Sequence, residues 1–107
     1  MFISDDLLNP NQKKVLAELY LKRNYDEVWC KPNRGWITHK QLAELCDFKH
    51  TGTAIGCLQS FKKQEWVESK KITQLDNQNI FFFRLTNECY QYLRDIGGMQ
   101  RDSLFGV

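Results

Sequence analysis

The feature that most constrains this chain is a change of hydrophobic period near residue 65. From Thr38 to Gln64 apolar residues recur at helical spacing, and from Trp66 to Leu85 they lie in two strand-like runs. Thr38 stands where its hydroxyl can cap a helix start, and Gln41 stands where it can reach back to Thr38. Leu42, Leu45 and Cys46 then share one face. After a turn at residues 47–50, a second helix is expected from Thr51 to about Gln64, burying Ala54, Cys57, Leu58 and Phe61. At about 100° per residue, its opposite face carries Gly52, Gly56, Gln59 and Lys63, flanked by Ile55, Ser60 and Lys62. Asp76–Asn79 is turn chemistry between the two strand runs. Alternation in the second run sends Phe81, Phe83 and Leu85 to the core and Ile80, Phe82 and Arg84 to the other face.

Helix, tight turn, helix and hairpin, in that order, predict an α+β, mostly helical fold: a helix-turn-helix with a two-stranded wing, or winged helix. The 107 residues make one domain. Residues 1–8 form an acidic and apolar arm. A first helix spans 9–23, opened by Asn9, Pro10 and Gln12, with Val15, Leu16, Leu19 and Tyr20 as its buried stripe. A connector follows over 24–37, with a turn at Pro32–Gly35. Tyr25, Val28 and Trp29 are expected to tie it to the body as an extra hairpin, and Trp36–Ile37 to form a short strand. The helix-turn-helix occupies 38–64 and the wing 65–85. The last helix, 86–96, follows Thr86, buries Cys89, Leu93 and Ile96, and is stopped by Gly97–Gly98 ahead of a tail over 97–107.

Residues 38–94 resemble the winged-helix regulators of the MarR and PadR type. LAELC (Leu42–Cys46) is similar to their first motif helix, and FKKQEWVESKK (Phe61–Lys71) to the end of their recognition helix running into the wing. FRLTNE (Phe83–Glu88) is similar to the wing strand entering the last helix. The chain departs from the family pattern near Asp47, where the motif turn lacks its glycine and is one residue longer, and at Glu65, which replaces the glycine before the wing strand. The resemblance implies DNA binding and transcriptional regulation.

Several chemistries find no support in the residues. There is no G-x-S-x-G elbow, P-loop or GxGxxG, and neither histidine has an identifiable acid partner, so no enzyme and no cofactor is expected. Cys30, His39, Cys46 and His50 match no zinc spacing. The four cysteines lack a CxxC, and Cys46, Cys57 and Cys89 fall on buried helix faces, which predicts reduced thiols and a cytoplasmic protein. Cys30 beside Lys31 and Arg34 reads either as a redox-sensing thiol or as an ordinary surface cysteine. No apolar run reaches the ~20 residues of a membrane span.

Net charge is only +2, but from Lys49 to Lys71 five lysines stand against Glu65 and Glu68. Two binding readings follow. In the first, the 51–64 helix enters the major groove of double-stranded DNA, with Lys49, His50, Thr51, Thr53, Gln59, Lys62 and Lys63 as contacts. The wing then uses Lys70, Lys71, Gln74, Asn77 and Gln78 on adjacent phosphates or the minor groove. One such helix reads few base pairs, so a homodimer is expected. In the second, the same fold is a protein-interaction module that meets its partner through Gly52, Gly56 and Phe82.

Overall fold

Three of the four helix starts are written in side chains that the sequence places there. Asn9 Oδ1 accepts from the Gln12 N–H at 2.8 Å and Gln12 Oε1 accepts from the Asn9 N–H at 3.0 Å, with Pro10 opening the first turn. Thr38 and Gln41 exchange the same pair of bonds at 3.2 and 3.1 Å. Thr86 Oγ1 accepts from the Cys89 N–H at 3.3 Å. These bonds, reciprocal at the first two starts, satisfy backbone donors that a helix leaves free at its first turn.

The computed structural model describes residue 3 and residues 7–96. It is an α+β fold: α1 Pro10–Val28, β1 Ile37–Thr38, α2 His39–Leu45, α3 Thr51–Lys63, β2 Val67–Thr73, β3 Asn79–Leu85 and α4 Asn87–Asp95. The strands form one antiparallel sheet in the order β1-β3-β2. Ile37, Phe83 and Ser69 stand abreast on one face, continued by the pairs Val67–Leu85 and Lys71–Phe81. The helices cover the base of this face, where Ile37, Val67 and Leu85 join Leu16, Leu19, Leu42, Leu58, Phe61 and Leu93 in the core. Each fully buried side chain of this size contributes about 1.5–3 kcal/mol, so the stripe Ala54, Cys57, Leu58 and Phe61 holds α3 with its other face outward. Ile3 and Leu8 are also buried, and the Ile3 N–H donates to Tyr92 Oη at 3.1 Å.

Several expectations are corrected here. First, α1 runs to Val28 rather than ending near Arg23. Its core face continues beyond Tyr20 in charged residues, Arg23 and Asp26, only 5% and 1% exposed. Second, Tyr25, Val28 and Trp29 do not tie a connector to the body. Tyr25 and Val28 lie on the outer face of α1, all three are exposed, and the segment holds no strand until Ile37. The short strand is Ile37–Thr38, one residue later than expected. Third, Leu45 is exposed and Ala43 takes its place in the core. Fourth, Phe81 has the expected side of the hairpin but is about half exposed, because β2 and β3 project past the helices. Ile96 is exposed as well, while Gly97, Gly98 and the tail lie outside the described residues.

Asp26 and Arg23 hold the connector. The Asp26 carboxylate accepts from the Gly35 N–H at 2.7 Å and pairs with Lys22 Nζ at 3.1 Å, while the Lys31 N–H donates to the Asp26 carbonyl at 2.8 Å. Arg23 donates to the Leu85 carbonyl and to Asn87 Oδ1, and its guanidinium lies 5.1 Å from the Tyr90 ring centroid. Gly35 has φ +88°, and a Cβ there would sit 2.9 Å from Arg23 Cβ and 3.0 Å from its Cα.

α1, α2 and α3 end in the same way, without glycine. In each, the residue after the C-cap has positive φ: Cys30 (51°), Asp47 (57°) and Glu65 (62°). Its N–H and the next one turn back onto the last-turn carbonyls, as in Glu65 N–H to Lys62 O and Trp66 N–H to Phe61 O, both 3.0 Å. Phe48 and Trp66 follow two of these turns and pack against the core, Trp66 with its ring 5.5 Å from that of Phe61.

Two predictions follow from these contacts. Asp26→Ala leaves the buried Gly35 N–H without its acceptor and should lower unfolding free energy by about 1–3 kcal/mol; Gly35→Ala should cost about as much through strain. Conversely, Glu65→Gly and Cys30→Gly should each stabilise by roughly 0.5–1 kcal/mol, since glycine carries no left-handed penalty. Asp47→Gly should gain less, because aspartate tolerates that region. Urea denaturation of the single variants measures all five, and stabilisation greatest at Asp47 would contradict this account.

Candidate nucleic-acid interface

The outer face of α3 is open from end to end. Gly52, Gly56, Gln59, Lys62 and Lys63 are exposed, with Thr53, Ile55 and Ser60 half-buried at its margins. A Cβ built on Gly52 or Gly56 would meet nothing within 4 Å. Neither glycine is imposed by packing or by positive φ, so their effect is to leave the backbone of the first turns of α3 bare. Lys49, His50 and Thr51 are exposed at the start of the helix, where His50 is the N-cap and makes no side-chain capping bond. Lys62 and Lys63 occupy the last turn, about 18 Å along the axis at 1.5 Å per residue.

The hairpin separates two lysines that are adjacent in sequence. Lys71 pairs with Phe81 on the face that continues the core side of the sheet, whereas Lys70 pairs with Phe82 on the other face. Lys70 Nζ lies 4.5 Å from the Trp36 ring centroid and 5.9 Å from that of Phe82. The Arg84 guanidinium is 4.4 Å from the same indole, and Arg84 Nε donates to Glu68 Oε1 at 2.9 Å. Trp36 is therefore flanked by two cations, and Glu68 is neutralised by one of them. Among the described residues, Lys49, Lys62, Lys63 and Lys71 have no ion-pair partner. Phe82 is half-buried in this group rather than an open patch.

At the hairpin tip the Gln74 N–H donates to the Gln78 carbonyl at 2.8 Å and the Asp76 carboxylate accepts from the Gln78 N–H at 3.1 Å. Asn77 supplies the positive φ of the turn (63°). Gln74, Asn77 and Gln78 are exposed. The tip also presents Leu75, fully exposed, which the sequence reading did not single out. A leucine inside a polar turn run is the signal that marks it.

No protein-family model matches the chain, and no curated protein matches it.

The remaining candidate chemistry is quiet. Cys30, His39, Cys46 and His50 do not converge, and among the described residues no group of three or more His, Cys, Asp or Glu side chains could hold a metal ion. No helix among them is long and apolar enough to cross a membrane. All four cysteines are free, with Cys46, Cys57 and Cys89 buried and Cys30 exposed. Burial pushes the Cys46 thiol up to about 11 and the Cys89 thiol to about 12 from the ordinary 9.0, and raises Cys57 as well. Burial also raises Tyr20.

The buried thiols give a pH dependence with a definite sign. The unfolded chain deprotonates first, so the stabilisation is complete below the ordinary thiol value of 9.0 and lost as pH rises toward 12. The melting temperature should therefore hold steady up to about pH 9 and then fall. With a thiol reagent at pH 8, Cys30 should react promptly and the other three only on unfolding. Two or more promptly reacting thiols in the folded protein would contradict the burial.

Proposed function

We propose that this chain is a winged helix-turn-helix protein that binds double-stranded DNA, as a homodimer and as a transcriptional regulator. In this reading α2 and α3 are the helix-turn-helix, α3 lies in the major groove, and β2–β3 is the wing against the adjacent backbone. The observation that carries it is the outer face of α3: bare backbone at Gly52 and Gly56, an amide at Gln59, and cations without partners at both ends. Bare backbone admits close approach of a duplex, and a helix N-terminus with free N–H groups favours a phosphate near Lys49, His50 and Thr51. Gln59 has the donor and acceptor that pair with adenine, and Lys63 the charge for guanine or phosphate. The resemblance to MarR and PadR regulators is supported by the backbone itself. Near Asp47 and at Glu65, where those regulators carry glycine, this chain has positive φ.

The reading is one of binding rather than catalysis, in a cytoplasmic setting. A second reading, as a protein-interaction module, draws on the exposed Leu75 and Phe81 of the hairpin and on Lys70, whose charge is engaged by Trp36.

The geometry makes the two wing lysines unequal under the DNA reading. Lys71→Glu should weaken binding to every duplex alike and flatten the log–log salt slope by about one unit. Lys70→Glu should act mainly on stability through the Trp36 contact, with a smaller effect on the slope. Gln59→Ala should relax discrimination at one base pair by about 1–3 kcal/mol without changing the slope. Fluorescence anisotropy against random and genomic duplexes over a salt series reads all three. Wild-type protein with no salt-dependent affinity for any duplex would leave the protein-interaction reading in its place.

A further inference from the structure

α1 carries two apolar stripes. One is the buried stripe that seats it in the core; the other, Leu21, Tyr25 and Val28 with the C-cap Trp29, runs along its outer side. Tyr25, Val28 and Trp29 are 53%, 63% and 65% exposed, and Leu45 from the end of α2 joins them at 53%. Together they line one shallow cleft of about 550 Å³. The Tyr25 and Trp29 rings that help line it lie 6.3 Å apart. Nothing among the described residues covers it.

We propose that this face is the interface with a second copy of the chain. The area fits. At ~150–250 Å² for a large side chain, those exposures leave roughly 350–590 Å² of largely apolar surface per copy. A two-fold axis doubles this, and a homodimer interface is about 65% apolar, so the total is about 1,100–1,800 Å², which overlaps the ~1,200–2,000 Å² of a stable interface.

The charges fit as well. Lys22 on this face is already neutralised by Asp26, and Glu18 lines the cleft on the same face. Antiparallel pairing about an axis between Asn24 and Tyr25 sets Leu21 opposite the partner's Val28. The outer faces of α3 and the hairpin carry lysines of one sign, which would repel their own copies across a two-fold axis.

Sedimentation equilibrium without nucleic acid tests the interface independently of any DNA binding. The wild type should sediment at twice the chain mass at micromolar concentration. Val28→Glu combined with Trp29→Glu should raise the dissociation constant by roughly a hundredfold or more, while thermal unfolding reports that the chain still folds. Leu21→Cys with Val28→Cys, in Cys30→Ser protein, should give a covalent dimer on mild oxidation whether or not the charged variant folds. A wild-type monomer through about 100 µM, a dimer indifferent to the two glutamates, or a dimer that forms no such crosslink would each overturn the proposal.

Discussion

The fold hangs on two buried charges in the second half of α1. Arg23 reaches the last carbonyl of β3 and the first residue of α4, and Asp26, less than one turn on, holds the connector by the Gly35 N–H. A buried charge is costly unless paired and hydrogen-bonded, and breaking such a set is more damaging than never having it. One helix thereby fixes the chain on both sides of the sheet: the path into β1 and the exit from β3. Gly35 is confined to its place by the same arginine, whose Cβ and Cα leave no space for a side chain. Arg23 is not fully served, since its Nε is buried without a hydrogen-bond partner.

From this anchor the candidate interface follows by packing. α2 and the sheet hold α3 by its apolar stripe, so the residues left outside are those with no packing role: two glycines, Gln59 and the terminal lysines. On the sheet, Trp36 gathers Lys70 and Arg84 from two different strands and Arg84 takes Glu68. That group ties β2 and β3 to the segment entering β1, and engages the charge of the exposed Lys70 while leaving Lys71 without such a partner. The exposed large apolar side chains form two groups, Ile72, Leu75 and Phe81 on the hairpin and Tyr25, Val28, Trp29 and Leu45 along the outer side of α1.

The core helices and the hairpin were legible because their signals are local. A capping pair three residues apart, four apolar residues at helical spacing, or alternation across a turn each specifies its element without reference to the rest of the chain. Thr38 with Gln41 and the stripe of α3 are found where those rules put them, and the hairpin turn lies at 74–78, slightly ahead of the expected Asp76–Asn79 because Asn79 already pairs with Thr73 in the strand. The outer face of α3 was legible for the same reason, as the complement of its buried stripe.

What the sequence alone determined, then, is the order and type of the elements and the identity of most of the core. The length of α1 was decided by tertiary structure, because its buried stripe continues in Arg23 and Asp26, residues whose burial depends on partners as distant as Leu85 and Asn87. The ends of α1, α2 and α3 carry no glycine, and only the packing that follows them holds Cys30, Asp47 and Glu65 at positive φ. The exposure of Phe81, and the separation of Lys70 from Lys71 by Trp36, were likewise settled by how far the sheet extends beyond the helices. Periodicity reports which side of an element a residue occupies; whether anything covers that side depends on the other elements.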